Sequence, residues 1–295
     1  GGGRMLADAI AARTPLPFRV GPRTVVRVHR RLVRVTVPLE QAISGASVTL
    51  PGLPPQADGY YLRAVPEDQA GTIGGATGMR AFIRQSYPHH YADLGMGYDA
   101  YLASFSAKTR SSLKRKTRKL AEHSGGELDI RVYRTPAEIA DFHACARAVS
   151  ALTYQEKLLD AGLPEDLTEM QALAARDQVR AFLLFMDGRA VAYLHTPGEG
   201  ATLRYEHLGY DPAFADWSVG SVLQLEAMRL LMEERRFRWF DFTEGDGQHK
   251  RAFATGSIPS VDLLLLRPTL SNVATASALA GFDRAVSFAK RIVGR

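Results

Sequence analysis

Between Tyr210 and Phe253 the chain changes local pattern in an order that few folds accept. It reads Tyr210-Asp211-Pro212, then Trp217-Ser218-Val219-Gly220-Ser221-Val222, then an amphipathic run to Arg238. Next comes Trp239-Phe240-Asp241-Phe242-Thr243-Glu244-Gly245-Asp246-Gly247-Gln248-His249-Lys250. This predicts a strand end, a small-residue turn opening a helix, a second strand, and a Gly-punctuated polar loop that ends in a lysine. Small residues ahead of a helix let backbone N–H groups approach an anion at the positive end of the helix dipole. The turn Trp217–Val222 therefore suits a phosphate-bearing cofactor.

The rest of the chain supplies strands and helices around this segment. Thr24–Val28, Leu32–Val37 and Tyr60–Val65 are rich in β-branched or aromatic residues and read as strands. Pro51, Pro54 and Pro55 mark a loop, and the glycines of Gly71–Gly78 read as a flexible turn. Residues 80–95, with His89 and His90, read as a connecting segment in which a surface or groove role is expected for the histidines. Tyr98–His123 has the pattern of one long helix. From residue 128 onward the expected order is β-α-α-β-β-β-α-β-loop-β, beginning at Leu128–Tyr133 and ending at Val261–Arg267. Thr135-Pro136-Ala137-Glu138 is a helix start with Pro in its first turn. Val179–Met186 and Ala190–His195 flank Asp187-Gly188 as a hairpin. Ala201–Gly209 reads as one uninterrupted strand.

Asp211-Pro212…Ser218-Val219-Gly220, followed by Asp241-Phe242-x-x-Gly245-Asp246…Lys250, resembles the CelD-type branch of the GNAT acyltransferase superfamily, related to the Fem peptidyltransferases. The resemblance is clearest from about Ser104 to Phe253. It implies an α/β (α+β) GNAT fold: a mixed central sheet with flanking helices and the cofactor at a strand splay. It also implies two GNAT-like lobes, with a degenerate N-terminal lobe over 5–125 that ends in a basic helix, a catalytic lobe over 126–270, and an amphipathic helix over 271–295. The superfamily turn reads Gln/Arg-x-x-Gly-x-Gly/Ala, whereas Trp217–Val222 keeps only the central Gly. The residue before the lysine is typically Tyr in the family and is His249 here.

The implied chemistry is direct acyl transfer from acyl-CoA to an amine, with acyl-CoA as co-substrate and no metal. Such a transfer needs a held pyrophosphate, a polarised carbonyl, a base for the amine and help for the leaving thiolate. Cofactor contacts fall to Trp217, Ser218, Val219, Gly220, Ser221 and Val222. On strand 201–209 alternation places Leu203, Tyr205 and His207 on one face and Arg204, Glu206 and Leu208 on the other. Glu206 or His207 is the expected base. Imidazole titrates near pH 6.5, and a carboxylate needs partial burial to reach that range. Asp241, Glu244, Asp246, His249 and Lys250 cluster after the next strand. Lys250 would neutralise a phosphate or the oxyanion, and Asp246 would orient it or bind the acceptor ammonium. By resemblance, Tyr154 and Gln155, with Tyr205, belong to the acceptor side. No Gly-x-Ser-x-Gly nucleophile motif is present.

Net charge is +6, which favours an anionic partner. Seven cations, Lys108, Arg110, Lys114, Arg115, Lys116, Arg118 and Lys119, line the run 108–119. The run lacks the interleaved aromatics of nucleic-acid readers, which argues against nucleic acid. Residues 272–294 carry Leu279, Phe282, Val286, Ala289 and Val293 at helical spacing, with Arg284, Lys290, Arg291 and Arg295 off that stripe. Both segments fit an anionic membrane surface. With no span of about 20 apolar residues and no basic-then-apolar start, the expected location is cytoplasmic, peripheral on the inner membrane face. One cysteine, Cys145, leaves no internal disulfide. The expected acceptor is a lipid amine such as a sphingoid base, as in bacterial ceramide synthases. The alternatives are an amino-sugar or exopolysaccharide acyltransferase, a Fem-like aminoacyl-tRNA-dependent transferase, and a non-catalytic binding protein.

Overall fold

The computed structural model describes residues 11–20, 23–153 and 162–293. In chain order these are β1 Ala11–Val20, β2 Arg23–Thr36, α1 Leu39–Ser44, β3 Gly59–Pro66, α2 Glu67–Thr77 and β4 Arg80–Asp93. Then come α3 Tyr98–Ser104, α4 Ala107–His123, β5 Asp129–Tyr133, α5 Pro136–Ser150 and α6 Thr168–Ala175. The order continues with β6 Val179–Met186, β7 Arg189–Glu199, β8 Thr202–Arg204, β9 His207–Tyr210 and α7 Val219–Glu234. It closes with β10 Trp239–Asp241, α8 Gln248–Phe253, β11 Gly256–Leu266 and α9 Leu270–Val293. The whole is a mixed α/β fold with mixed strand directions and flanking helices.

Two compact units divide the chain: Gly1–Pro88 with Ile258–Arg295, and His89–Ser257. The chain passes from one to the other within β4 and again within β11. The basic helix α4 thus belongs to the second unit, and α9 to the first.

In the first unit the strand order is β1-β2-β3-β11, with β2 and β3 parallel and the other two pairings antiparallel. Val33, Leu62, Val65, Val261, Leu263 and Leu265 fill one face of this sheet. Leu16, Leu32, Leu264 and Leu266 fill the other, where Ala276 and Leu279 of α9 pack. Residues Gly71–Gly78 are not a turn: they lie in and just after α2. Acidic Glu67 and Asp68 open that helix, Ile73 is buried, and Gly78 closes it at φ 65°. Four glycines in eight residues mask a helix that tertiary packing nonetheless holds.

In the second unit the order is β4-β10-β8-β7-β6-β5, and β9 pairs with β7. Among the described residues of this unit only β8 and β10 run parallel; the β5–β6–β7 meander is antiparallel. Helix α7 covers one face with Val219, Val222, Leu223, Ala227 and Met228 against Phe182, Leu184 and Leu194. Helices α5 and α6 cover the other, where Ile139, Phe142, Ala146 and Met170 meet Ala181, Leu183 and Tyr193. A capping box starts α5: the Thr135 hydroxyl accepts the Glu138 N–H, and the Glu138 carboxylate accepts the Thr135 N–H.

Three local expectations need correction in this unit. Most of the segment 80–95 is strand β4, Arg80–Asp93, and His89 and His90 are buried on it rather than on a surface connector. The long helix is two helices, because Phe105 is extended and the Ser106 hydroxyl accepts the Thr109 N–H to start α4 afresh. The strand 201–209 is broken at Tyr205-Glu206 into β8 and β9.

Candidate active site

The break in that strand builds the site. β8 and β10 run side by side, with Phe240 opposite Leu203 and Asp241 opposite Arg204. The Tyr205 N–H still donates to the Asp241 carbonyl at 2.7 Å. Beyond it the two chains part. The Glu206 N–H donates to His195 O on β7 at 3.2 Å, and β9 continues along β7. The Phe242 N–H instead donates to His90 O on β4 at 3.1 Å. An opening is left between β9 and the segment after β10.

The extra residue also shifts the side-chain alternation, as a β-bulge does. Leu203, Tyr205 and Leu208 all pack toward the α7 face. His207 lies on the opposite face, paired with His195. The expectation that Tyr205 and His207 share one face is therefore overturned. Glu206 is exposed, with a carboxylate oxygen 3.5 Å from Arg204 Nε.

Helix α7 starts across both arms of this opening. Gly220 packs on β9: a Cβ there would sit 3.3 Å from Leu208 and 3.5 Å from Tyr210. One turn on, Gln224 is fully buried, its Oε1 3.4 Å from His249 Nε2 on α8. Ser218 takes a left-handed conformation, φ 53°, and makes no side-chain cap. The first intrahelical bond runs from Val222 N–H to Ser218 O at 3.1 Å. The N–H groups of Val219, Gly220 and Ser221 precede it and point out of the helix end. The side chains of Val219 and Val222 enter the core, and the Val222 N–H is spent on Ser218 O, so of the two only the Val219 N–H is free for binding. Trp217 is held by aromatic and cationic neighbours on α4: the His123 ring lies 4.6 Å away and Lys119 Nζ 4.8 Å above the indole. None of the seven cations of α4 ion-pairs with a carboxylate among the described residues.

On the other arm, Tyr205, His249 and Lys250 converge. The Tyr205 ring is 5.8 Å from both Phe242 and His249, and Lys250 Nζ stands 5.8 Å from its centroid. Burial pushes the Tyr205 hydroxyl up to about 12, so it stays protonated. Burial and the neighbouring Lys250 push His249 down to about 4, so its ring is neutral near pH 7. Burial also lowers Lys250, whose Nζ donates to the Glu244 carbonyl at 2.7 Å. Lys250 and His249 lie on helix α8, where the sequence suggested a loop.

The expected carboxylate cluster is pulled apart. Asp241 is buried with Oδ1 2.6 Å from His89 Nε2. Asp246 lies 2.8 Å from His90 Nε2 and 2.7 Å from Arg251 Nη1, and the His90 contact holds its carboxyl below the usual range. Glu244 is exposed. Two histidines of β4 thus pin the loop that follows β10. Tyr154 and Gln155 lie outside the described residues.

Gln224 and His195 were missed by sequence reasoning. A lone Gln within Val219-Gly220-Ser221-Val222-Leu223-Gln224-Leu225 is the one available signal for the first. His195 ends an apolar strand pattern and carries none.

Residues 107–251 match the family model described as acetyltransferase (GNAT) domain. The C-terminal domain of a protein described as a lysylphosphatidylglycerol synthetase, from Agrobacterium fabrum, is similar in structure. It is 14% identical, with a TM-score of 0.51, over 75% of this chain and 72% of that one. FemX is similar at 12% identity and a TM-score of 0.50, over 74% of each chain. At such identities the likeness is one of fold. No curated protein matches the sequence, and ceramide formation finds no support in these comparisons. Over residues 107–251 this chain is similar to a GNAT-type acetyltransferase domain.

Proposed function

We propose that the unit His89–Ser257 transfers an acyl group from acyl-CoA directly to an amine. The observation that carries this reading is the opening between β9 and the segment after β10, spanned by the start of α7. Three outward N–H groups there, with the cations of α4 beside them, suit the diphosphate of a CoA thioester. The acyl arm would then enter between the strands, and the amine would reach it from the α5 face.

In the transfer the amine nitrogen bonds to the thioester carbonyl carbon and the carbon–sulfur bond breaks. The nitrogen gives up its proton to Glu206, the carboxylate at the strand break. The sulfur leaves as thiolate beside the Tyr205 hydroxyl, which donates a hydrogen bond, and the Lys250 ammonium, which offsets the charge. Gln224 and neutral His249 line the donor arm. Asp241 and Asp246 hold the loop rather than react.

The acceptor we favour is an amine presented at a lipid surface. On α9, Phe288 is 65% exposed and Ile292 59% exposed. At 100° per residue they face away from the buried Ala276 and Leu279, with Arg284 and Arg291 along one edge. An outward apolar pair with cations along one edge fits an anionic membrane face.

A thiol-release assay with acetyl-CoA and palmitoyl-CoA tests the reading, each run with and without a sphingoid base or an amino sugar. Thiol release that requires the amine and is lost in Glu206→Gln supports it. If neither thioester stabilises the fold against heat or yields thiol, acyl-CoA is the wrong donor.

A further inference from the structure

His195 and His207 face each other across the β7–β9 pair on the α5 side of the sheet. Their rings lie within 10° of parallel and meet edge to edge, with centroids 5.7 Å apart and their Nδ1 atoms 3.4 Å from each other. His195 is only 5% exposed, and its Nε2 is buried with no hydrogen-bond partner among the described residues. His207 is half-buried. Around them stand Phe142 of α5, 6.3 Å from the His195 ring, the charged pair Arg204–Glu206, and His143 on α5.

Two neutral imidazoles that meet through Nδ1 share one proton: one ring donates and the other accepts. The sealed Nε2 of His195 decides which. A buried N–H without an acceptor is rarer in folded proteins than an acceptor left bare. The proton of His195 therefore sits on Nδ1 and points at His207. His207 Nδ1 must then be the acceptor, which places the His207 proton on its outer Nε2.

We infer that His195 fixes His207 as a hydrogen-bond donor toward the acceptor side of the opening, so that His207 selects an amine bearing a neighbouring hydroxyl or carbonyl oxygen. His207 is then a specificity residue rather than the base, and His195 is a positioning residue that acts through it. The tautomer assignment stands on the structure alone. Its use in acceptor recognition rests on the proposed acyl transfer.

The test separates the two. Protein labelled with ¹⁵N at histidine is examined by long-range ¹H–¹⁵N correlation at pH 7.5. The expected pattern is His195 protonated at Nδ1 and bare at Nε2, with His207 bare at Nδ1 and protonated at Nε2. The opposite pattern overturns the inference, whatever the reaction proves to be. Ethanolamine and ethylamine are then titrated as probes. Ethanolamine is expected to shift His207 Nε2 and to bind about tenfold more tightly, the worth of one good hydrogen bond. Equal binding of the two probes overturns the recognition role. His195→Phe, checked for folding by thermal melt, should erase the preference. His207→Gln, whose amide also donates, should keep most of it. A full preference in His195→Phe would also overturn the inference.

Discussion

His89 Nε2 lies 2.6 Å from Asp241 Oδ1, and the same oxygen accepts the Thr243 N–H at 2.7 Å. One buried carboxylate oxygen thus ties β4 to the turn where the chain leaves β10. Thr243 sits there at φ 65°, a conformation costly for a β-branched residue, and this tie helps hold it. Asp241→Ala should lower stability by about 2–4 kcal/mol, since it leaves the imidazole and the Thr243 N–H without their shared acceptor. Asp241→Asn, which keeps an acceptor, should cost less. Urea unfolding of both variants checks the order. Equal losses would mean that the carboxylate is not what holds the turn.

Gly220 has room for no side chain beyond a methyl group against Leu208 and Tyr210. Gly220→Val should crowd β9 and cost about 1–3 kcal/mol through overpacking. Donor affinity should fall with it, because crowding against β9 displaces the start of α7 and with it the three free N–H groups. Binding of acyl-CoA by calorimetry, set beside the melting temperature, reads both. Unchanged donor binding would place the diphosphate elsewhere.

Lys250 stands beside Tyr205 and holds the Glu244 carbonyl. Lys250→Met removes the cation while keeping much of the side-chain volume. A loss of about 100- to 1,000-fold in kcat/KM is expected, as for other groups that stabilise developing charge. Should the whole effect lie in KM for the donor, the lysine binds phosphate and does not act on the leaving group. No change in either constant would remove it from the site.

His249 is held near 4 by burial and by Lys250, below the ordinary histidine value. The sign follows from where the proton binds. Below about pH 6.5 the unfolded chain takes up a proton that the folded ring refuses until about pH 4, so stability falls as pH drops through this window. His249→Gln should remove part of that slope, roughly 1–2 kcal/mol once partial exposure of the ring is allowed for. Urea midpoints between pH 7.5 and 4.5 measure it. Parallel pH profiles for the two proteins would show that His249 titrates normally. His195, pushed down to about 3 mainly by burial, contributes a slope of the same sign that survives the substitution.

Most of the second unit is legible in the sequence because its signals are local. The Thr135–Glu138 cap, the Asp187-Gly188 hairpin and the apolar run Val179–Met186 each dictate their own structure. The start of α7 and the strand at Trp239 were readable for the same reason. What escaped is set by partners far away in sequence. β4 contains Pro88 and a mixed polar pattern, and it becomes a strand only through partners distant in sequence, β10 among them. The chain has no residue at Tyr205-Glu206 that announces a break. Gln224 is polar on an apolar helix, and its meaning comes only from His249 beside it. The carboxylates of residues 241–246 looked like a single reactive cluster because spacing shows proximity along the chain and nothing of the histidines that divide them.

The one-residue slip between Tyr205 and Leu208 carries a consequence for how such a chain can diverge. With it, Leu208 reaches the apolar layer and His207 the opposite wall. Deleting one residue there would exchange the two, putting an imidazole among leucines and a leucine beside His195. Most substitutions along the segment alter a contact, whereas a change of length rewrites which wall each contact belongs to. Reactivity in descendants of this chain is therefore guarded by counting, and segment length should prove stricter than segment composition.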